Sequence, residues 1–230
     1  MFAANEAFAA VARAVPTYVM PGNHDGLGLL RYLTPAPGLT ILDRPAAIAI
    51  RRFPIGFLPF QRSPEAWAAA ASMLDGCEIL IAHQAFDGAV AGGYRFRPGV
   101  DPETIGASHL PKATRAILCG HLHPRQSHRL GHAMVYYPGS TERTAFVERR
   151  DPKGYALVEV ERAVGCTFLD LDPRPMVEVH RERDLSLVTP GALVRLAGVA
   201  RDRDIENAVL DRGGWVSPWK PEGPEQLGLF

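Results

Sequence analysis

The chain has 230 residues, and its 25 Lys and Arg residues balance its 25 Asp and Glu residues to a formal net charge of zero. A composition of 47% hydrophobic and 22% charged residues is that of an ordinary globular protein and excludes wholesale disorder. Neutrality argues against a free-standing non-specific nucleic-acid binder, but it does not exclude a nuclease. We find neither a membrane span nor a secretory signal in the sequence, and its three cysteines are scattered and form no CxxC motif. We therefore expect a cytoplasmic protein with reduced thiols.

The first part of the chain alternates apolar runs with amphipathic or irregular segments. Apolar residues at helical spacing predict an opening helix that Pro16 ends, and a second helix is predicted over 64–74, with proline in its first turn. The Gly-rich segment 84–111 is typical of a functional loop. Short apolar or alternating runs predict strands over 17–20, 40–42, 47–50, 56–60, 77–82, 116–119 and 133–137.

The sequence changes in character from about residue 151 onwards. Three alternating runs, over 154–161, 166–171 and 175–180, predict antiparallel strands joined by hairpin turns. We therefore expect three parts: an α/β core over 1–150, a β-rich accessory region over 151–212, and a flexible tail over 213–230.

Histidines follow three of the predicted apolar strands. If those strands run parallel, the loops that carry the histidines emerge at one edge of a sheet, where ligands of open α/β sheets bind. Neutral imidazoles and an Asn carbonyl are metal ligands, and paired divalent ions suit attack of hydroxide on phosphorus. The side chains that would converge are Asn23, His24, Asp25, His83, His121 and His123.

Two of these residues have a predicted role other than metal binding. A histidine that binds no metal can donate a proton to a leaving oxygen, as we expect for His24, and the adjacent Asp25 would fix its tautomer. The plainer alternative is that each histidine is a satisfied structural or surface residue. The other four (His109, His128, His132 and His180) are interpreted in that way.

Three short motifs carry a family resemblance: Gly22-Asn23-His24-Asp25, the lone His83 after a strand, and Gly120-His121-Leu122-His123. In this order they resemble the motifs of the calcineurin-like metallophosphoesterases. Longer segments look like the bacterial and archaeal DNA double-strand-break repair exonuclease subunit, which partners an SMC-like ATPase. Those segments are 81–84 (IAHQ), 119–124 (CGHLHP), 136–144 (YYPGSTERT) and 153–155 (KGY).

The resemblance implies a fold and a set of roles. The fold would be a layered α/β sandwich of two mixed sheets flanked by helices, with a small β-rich C-terminal region. Asn23, His83 and His121 would bind one metal, usually manganese, His123 would bind the other, and His24 would act at the scissile phosphate of DNA. A homodimer is also implied. Two alternatives stay open: a phosphoesterase for nucleotides or small phosphate esters, and a non-catalytic docking module.

Two of the family's motifs are absent from the sequence. The family carries an N-terminal Asp-x-His and a later Gly-Asp that bridges the metals, and neither occurs in the 230 residues. We expect both, with their strands, upstream of Met1, the alternatives being a degenerate relative or completion by another polypeptide. Two cations about 4 Å apart repel strongly without a bridging carboxylate. We therefore expect at most one weakly bound metal and an impaired nuclease.

The last five residues form a separate candidate motif. Gln226-Leu227-Gly228-Leu229-Phe230 looks like the pentapeptide that binds the bacterial sliding clamp, with Leu and Phe as anchors for an apolar pocket. The partner-binding residues would be Gln226, Leu227, Leu229 and Phe230. The alternative is a tail that packs back on the core.

Overall fold

The computed structural model describes residues 2–25, 33, 35–161, 163–197 and 203–217. They form two compact units. The core unit comprises Met1–Gly139 and Val158–Thr167, and the accessory unit comprises Ser140–Leu157 and Phe168–Leu229. Residues 140–150, which the sequence placed in the core, are grouped with the accessory unit here. The predicted clamp-binding segment, 226–230, lies outside the described residues.

Among the described residues, the core unit contains two α-helices and a series of short strands. The helices are α1 (Phe2–Ala14) and α2 (Pro64–Ser72). The strands are β1 (Thr17–Val19), β2 (Leu39–Ile41), β3 (Ala46–Ile50), β4 (Phe53–Leu58), β5 (Ile79–His83), β6 (Val90–Ala91), β7 (Tyr94–Arg95), β8 (Ala116–Gly120), β9 (Gln126–Leu130) and β10 (Ala133–Tyr137). Every strand predicted before residue 140 is therefore present, with ends shifted by up to three residues.

A six-stranded mixed sheet forms the centre of the core unit, in the order β3-β4-β5-β8-β10-β9. The four inner strands run parallel, and β3 and β9 are antiparallel to their neighbours at the two edges. Parallel strands buried on both faces are apolar along their whole length, which explains the sequence of Ile79–His83. The α/β fold class predicted from the sequence is confirmed.

A smaller sheet and helix α2 add to the packing of the core unit. Strands β1 and β2 form a separate two-stranded parallel sheet, and Tyr18 packs against Phe57 of β4 with 5.4 Å between ring centroids. Elsewhere in the unit, Trp67 of α2 is fully buried and meets the ring of Phe86 edge-on. Strand β1 therefore does not lie in the same sheet as β5 and β8, although its following loop reaches them.

The accessory unit contains β13 (Met176–Val179), β14 (Leu193–Leu196), α3 (Arg203–Asp211) and β15 (Trp215–Val216). Strands β11 (Gly154–Val160) and β12 (Val164–Asp170) form a two-stranded sheet whose residues are divided between the units. The predicted third antiparallel strand is wrong, because β13 pairs in parallel with β14 in another sheet. Pro173 and Pro175 lie between β12 and β13 and oppose a tight hairpin.

Within the described ranges, no helix is both long and apolar enough to cross a membrane.

Candidate functional site

Two histidines meet at the carboxyl edge of the six-stranded sheet. His83 is the last residue of β5 and lies in register with Gly120, the last residue of β8, so His121 follows directly beside it. The two imidazole centroids are 5.2 Å apart, with the rings nearly perpendicular. Adjacent parallel strands end at the same edge of a sheet, which brings together residues 38 positions apart in sequence.

Asn23 joins these histidines from the loop after β1. Its side-chain oxygen Oδ1 lies 3.0 Å from His83 Nε2 and 3.3 Å from His121 Nδ1. One amide oxygen and two ring nitrogens therefore converge on a common point, although they come from two different sheets. The structure thus brings together the three side chains predicted to bind one metal, while metal binding itself stays a prediction.

Two glycines leave room for the ring of His83. A Cβ atom on Gly22 would lie 2.7 Å from His83 Cε1 and Nε2, and one on Gly120 would lie 2.8 Å from His83 Nδ1. Real Cβ atoms do not approach ring atoms so closely, so any larger residue must displace the imidazole. The glycines of the Gly-Asn-His-Asp and Gly-His-Leu-His motifs are explained by this packing.

We expect Gly22→Ala to disrupt the site while the matched Gly76→Ala variant does not. The new methyl group at residue 22 must displace the His83 ring, which contacts Asn23, whereas a Cβ on Gly76 would meet no atom within 4 Å. Calorimetric titration with Mn²⁺ should show a loss of affinity of about 10-fold or more, by analogy with the loss of groups that orient ligands. Equal affinities for the two variants would contradict this reading of Gly22.

Burial keeps both imidazoles neutral at physiological pH. It lowers the pKa of His83 to about 4, although the nearby Asp25 carboxylate opposes the shift. Burial, reinforced by His83, His24 and His123, lowers the pKa of His121 to about 4 as well. Neutral imidazole is the form that binds metals. Both rings are therefore ready to act as ligands at neutral pH.

His24 and Asp25 follow Asn23 directly in the chain. His24 is exposed on the same loop as Asn23. Asp25 Oδ2 accepts a hydrogen bond of 2.7 Å from the Gly22 N–H, so the carboxylate stabilises the backbone of its own loop. The predicted pairing of Asp25 with His24 stays a prediction.

His123 is half-buried and lowers the pKa of both His83 and His121, so it lies near them. In the part of the chain that the structure describes, no three His, Cys, Asp or Glu side chains form a group that could hold a metal ion. His83, His121 and His123 therefore do not form a three-histidine site, and the assignment of His123 to a second metal stays a prediction.

Sequence reasoning missed two residues beside the histidines. The ring of Phe60 lies 5.7 Å from that of His121 and 6.4 Å from that of His83, centroid to centroid. Gln84, directly after His83, is fully buried and is bonded to several loops. A polar residue that continues a buried strand was the available signal for Gln84, whereas nothing in the sequence marks Phe60.

Two of the segments that carried the narrower resemblance, 136–144 and 153–155, contribute residues to a buried ion pair and its hydrogen bonds in the accessory unit. Lys153 Nζ lies 2.8 Å from Glu148 Oε2 and donates a 2.8 Å hydrogen bond to Ser140 Oγ, with 1% of Lys153 exposed. The backbone N–H and the hydroxyl of Thr144 also donate to Glu148. The Ser, Thr and Lys of these two motifs therefore stabilise the fold of the unit.

Comparisons with known proteins give one sequence relative and a weak structural likeness. No protein-family model matches the chain. The chain is 24% identical over 155 residues to a protein of Invertebrate iridescent virus 6 that is named as a phosphoesterase, 244L. The match covers 61% of this chain and 51% of the viral protein, so the chain spans about half the length of that relative.

The structural likeness is to a Staphylococcus aureus protein described as a 5'-nucleotidase, solved in complex with alpha-ketoglutarate. Its TM-score is 0.45 at 12% identity, and it covers 88% of this chain and 42% of the other. A likeness of this size does not identify a family.

Proposed function

We propose that this chain is a phosphoesterase whose site binds a divalent cation through Asn23, His83 and His121. The observation that carries the proposal is the convergence of the Asn23 amide oxygen with one ring nitrogen of each histidine, at 3.0 and 3.3 Å. The name of the viral relative supports the same class of reaction.

The chemistry of these side chains fits a divalent cation. An amide oxygen and two imidazoles, both neutral at pH 7, are ligands of the kind that first-row divalent metals accept. When bound, such a cation polarises a phosphoryl oxygen and promotes the attack of water. Asn23 and the two histidines would hold it, while the ring of Phe60 covers one side of the imidazoles.

His24 is our candidate for the protonation step. It is exposed, follows Asn23 directly and lies close enough to His83 and His121 to lower the pKa of both. A histidine that is not a ligand can donate a proton to the oxygen of the leaving group as the ester bond breaks. We assign that role to His24 in the proposed reaction.

The same site limits how many cations the chain binds. The converging ligands carry no negative charge, and one oxygen of Asp25 is bonded to the backbone N–H of Gly22. Two divalent cations about 4 Å apart would repel strongly here. Calorimetric titration of the purified chain should therefore show no more than one weakly bound Mn²⁺ per chain. Two Mn²⁺ ions bound with micromolar affinity would contradict this prediction.

The pH dependence of cation binding should reveal the low pKa values. A proton competes with the cation for a ring nitrogen only when the pH is near or below the pKa of that ring. The pKa is about 4 for both His83 and His121. We expect the affinity for Mn²⁺ to stay level from pH 8 to pH 6 and to fall as the pH approaches 4. An ordinary histidine site would lose affinity from about pH 6.5 downwards. A midpoint near 6.5 would contradict the burial argument.

The narrower proposal is hydrolysis of DNA phosphodiester bonds in repair, with Mn²⁺ as the cation and an SMC-like ATPase as a partner. It is supported by the sequence motifs alone, as are the proposed homodimer and the binding of Gln226, Leu227, Leu229 and Phe230 to a sliding clamp. The second candidate substrate is a nucleotide or small phosphate ester. The zero net charge favours it, because a neutral chain has no overall attraction for a polyanion.

Hydrolysis assays with three substrates distinguish these proposals. Linear DNA, a 5'-nucleotide and a nitrophenyl phosphate would each be incubated with the chain and Mn²⁺, beside the His83→Ala variant. We expect slow, cation-dependent hydrolysis that His83→Ala removes, with DNA as the best substrate if the narrower proposal holds. Cation binding without hydrolysis of any substrate would instead favour a docking module.

A further inference from the structure

The side-chain amide of Gln84 makes hydrogen bonds to groups from other parts of the core unit. Its side chain is fully buried, and Oε1 accepts a 3.1 Å hydrogen bond from the N–H of Gln61. Its Nε2 donates to the carbonyl oxygens of Gln61, at 3.1 Å, and Glu103, at 2.6 Å. The one acceptor and two donors of the amide thus match one backbone N–H and two backbone carbonyls.

The backbone of Gln84 makes three further hydrogen bonds. Its N–H donates to Cys119 Sγ at 3.3 Å, and its carbonyl oxygen accepts from the thiol of Cys119 at 3.2 Å and from the hydroxyl of Tyr137 at 2.9 Å. The Tyr137 hydroxyl also accepts a hydrogen bond from the N–H of Phe86. Gln84 therefore joins the end of β5 to β8 and to the end of β10, at the edge of the sheet that carries the candidate site.

Three side chains of the site, those of His83, His121 and Phe60, lie within two residues of this network. His83 precedes Gln84, His121 follows Cys119 by two residues, and Phe60 precedes Gln61. We propose that Gln84 is a positioning residue, which fixes His83, His121 and Phe60 relative to one another and so sets the geometry of cation binding. This inference rests on the proposed function, because it concerns the same cation site.

Other side chains could not replace Gln84 in this role. Glutamate would set a carboxylate oxygen against two carbonyl oxygens, and methionine would remove the hydrogen bonds that the Gln84 amide makes with three backbone groups of Gln61 and Glu103. In either case the two hydrogen bonds from the Gln84 amide to the carbonyls of Gln61 and Glu103 are lost. The imidazoles of His83 and His121 would still be present, but the distance between them would change.

Titration of the Gln84→Met variant with Mn²⁺ tests the proposal. We expect its affinity to fall about 10-fold, the lower end of the effect of removing a group that orients ligands. Co²⁺ added in place of Mn²⁺ should give an altered visible absorption spectrum in the folded variant, because the bands depend on ligand geometry. Loss of stability alone would not change that spectrum below the melting temperature.

Thr114→Val is the matched control. Thr114 is fully buried, and its hydroxyl donates a 3.0 Å hydrogen bond to the carbonyl of Cys77, before the opposite ends of β5 and β8. This variant should melt at a lower temperature but keep the wild-type affinity for Mn²⁺ and the wild-type Co²⁺ spectrum. A change in affinity equal to that of Gln84→Met would show a general effect of destabilisation and overturn the proposal.

Tyr137→Phe keeps the test decisive if Gln84→Met does not fold. It removes the hydroxyl that donates to the Gln84 carbonyl and accepts from the Phe86 N–H, and we expect a smaller loss of affinity in the same direction together with a shifted Co²⁺ spectrum. Wild-type affinity and spectrum in both variants, or in Tyr137→Phe alone if the other is unfolded, would overturn the role of Gln84. Failure of the wild-type chain to bind Mn²⁺ would instead overturn the proposed function, and this inference with it.

Discussion

The His83→Ala variant should lose essentially all affinity for Mn²⁺, a decrease greater than about 100-fold. Groups that only orient ligands contribute 10- to 100-fold to metal affinity, and removal of a ligand should cost more. His83 also supports the other two side chains, since its ring contacts Asn23 Oδ1 and lies edge-on to His121. Isothermal titration calorimetry of the variant and the wild-type chain measures the effect directly.

His180→Ala is the appropriate control for that experiment. His180 lies in the accessory unit, where its exposed ring is 3.8 Å from a carboxylate oxygen of Glu178. Its removal deletes the same chemical group without touching Asn23, His83 or His121, so we expect wild-type affinity. If the two variants bind Mn²⁺ equally well, the cation is held elsewhere and the proposed site is wrong.

Lys153→Met should lower the free energy of unfolding by about 3–5 kcal/mol, the usual effect of removing one partner of a buried ion pair. The variant leaves the carboxylate of Glu148 buried without the Lys153 ammonium, while the backbone N–H and the hydroxyl of Thr144 still donate to it. Urea unfolding followed by circular dichroism provides the measurement. The fold of the accessory unit, rather than cation affinity, should be affected.

Two further variants establish the physical cause of that loss. The double variant Glu148→Leu with Lys153→Met should recover much of the stability, because the carboxylate that lost its lysine is removed from the interior as well. Arg44→Ala removes an exposed partner of Asp43 and should change stability by less than about 1 kcal/mol. A single Lys153→Met variant as stable as wild type would show that the pair contributes little.

The pairing of His83 and His121 was predictable from the sequence because it follows from two short-range features. Each apolar run is long enough for one buried strand, and each histidine comes at or just after the end of its run. Parallel neighbours then bring the two ends together without further information. The contact of both rings with Asn23 was expected on the same grounds, but β1 reaches the site from a separate sheet.

Other features could not be predicted because their partners are backbone atoms or distant strands. Gln84 binds the backbone of Gln61 and Glu103, and no sequence pattern encodes which carbonyl a buried amide will meet. The alternation of Met176–Val179 fits parallel and antiparallel neighbours equally well. Its partner was decided by the burial of Val179 and Val194 in one apolar cluster with Val209 of α3.

The backbone at His121 has a consequence for the evolution of this protein. Its φ angle of 83° lies in the left-handed region, which glycine adopts freely and other residues only at an energetic cost. Variants selected for thermostability alone would therefore favour glycine at this position and lose an imidazole in the process. Persistence of histidine at residue 121 among natural homologues would be a sign of selection for chemistry over robustness.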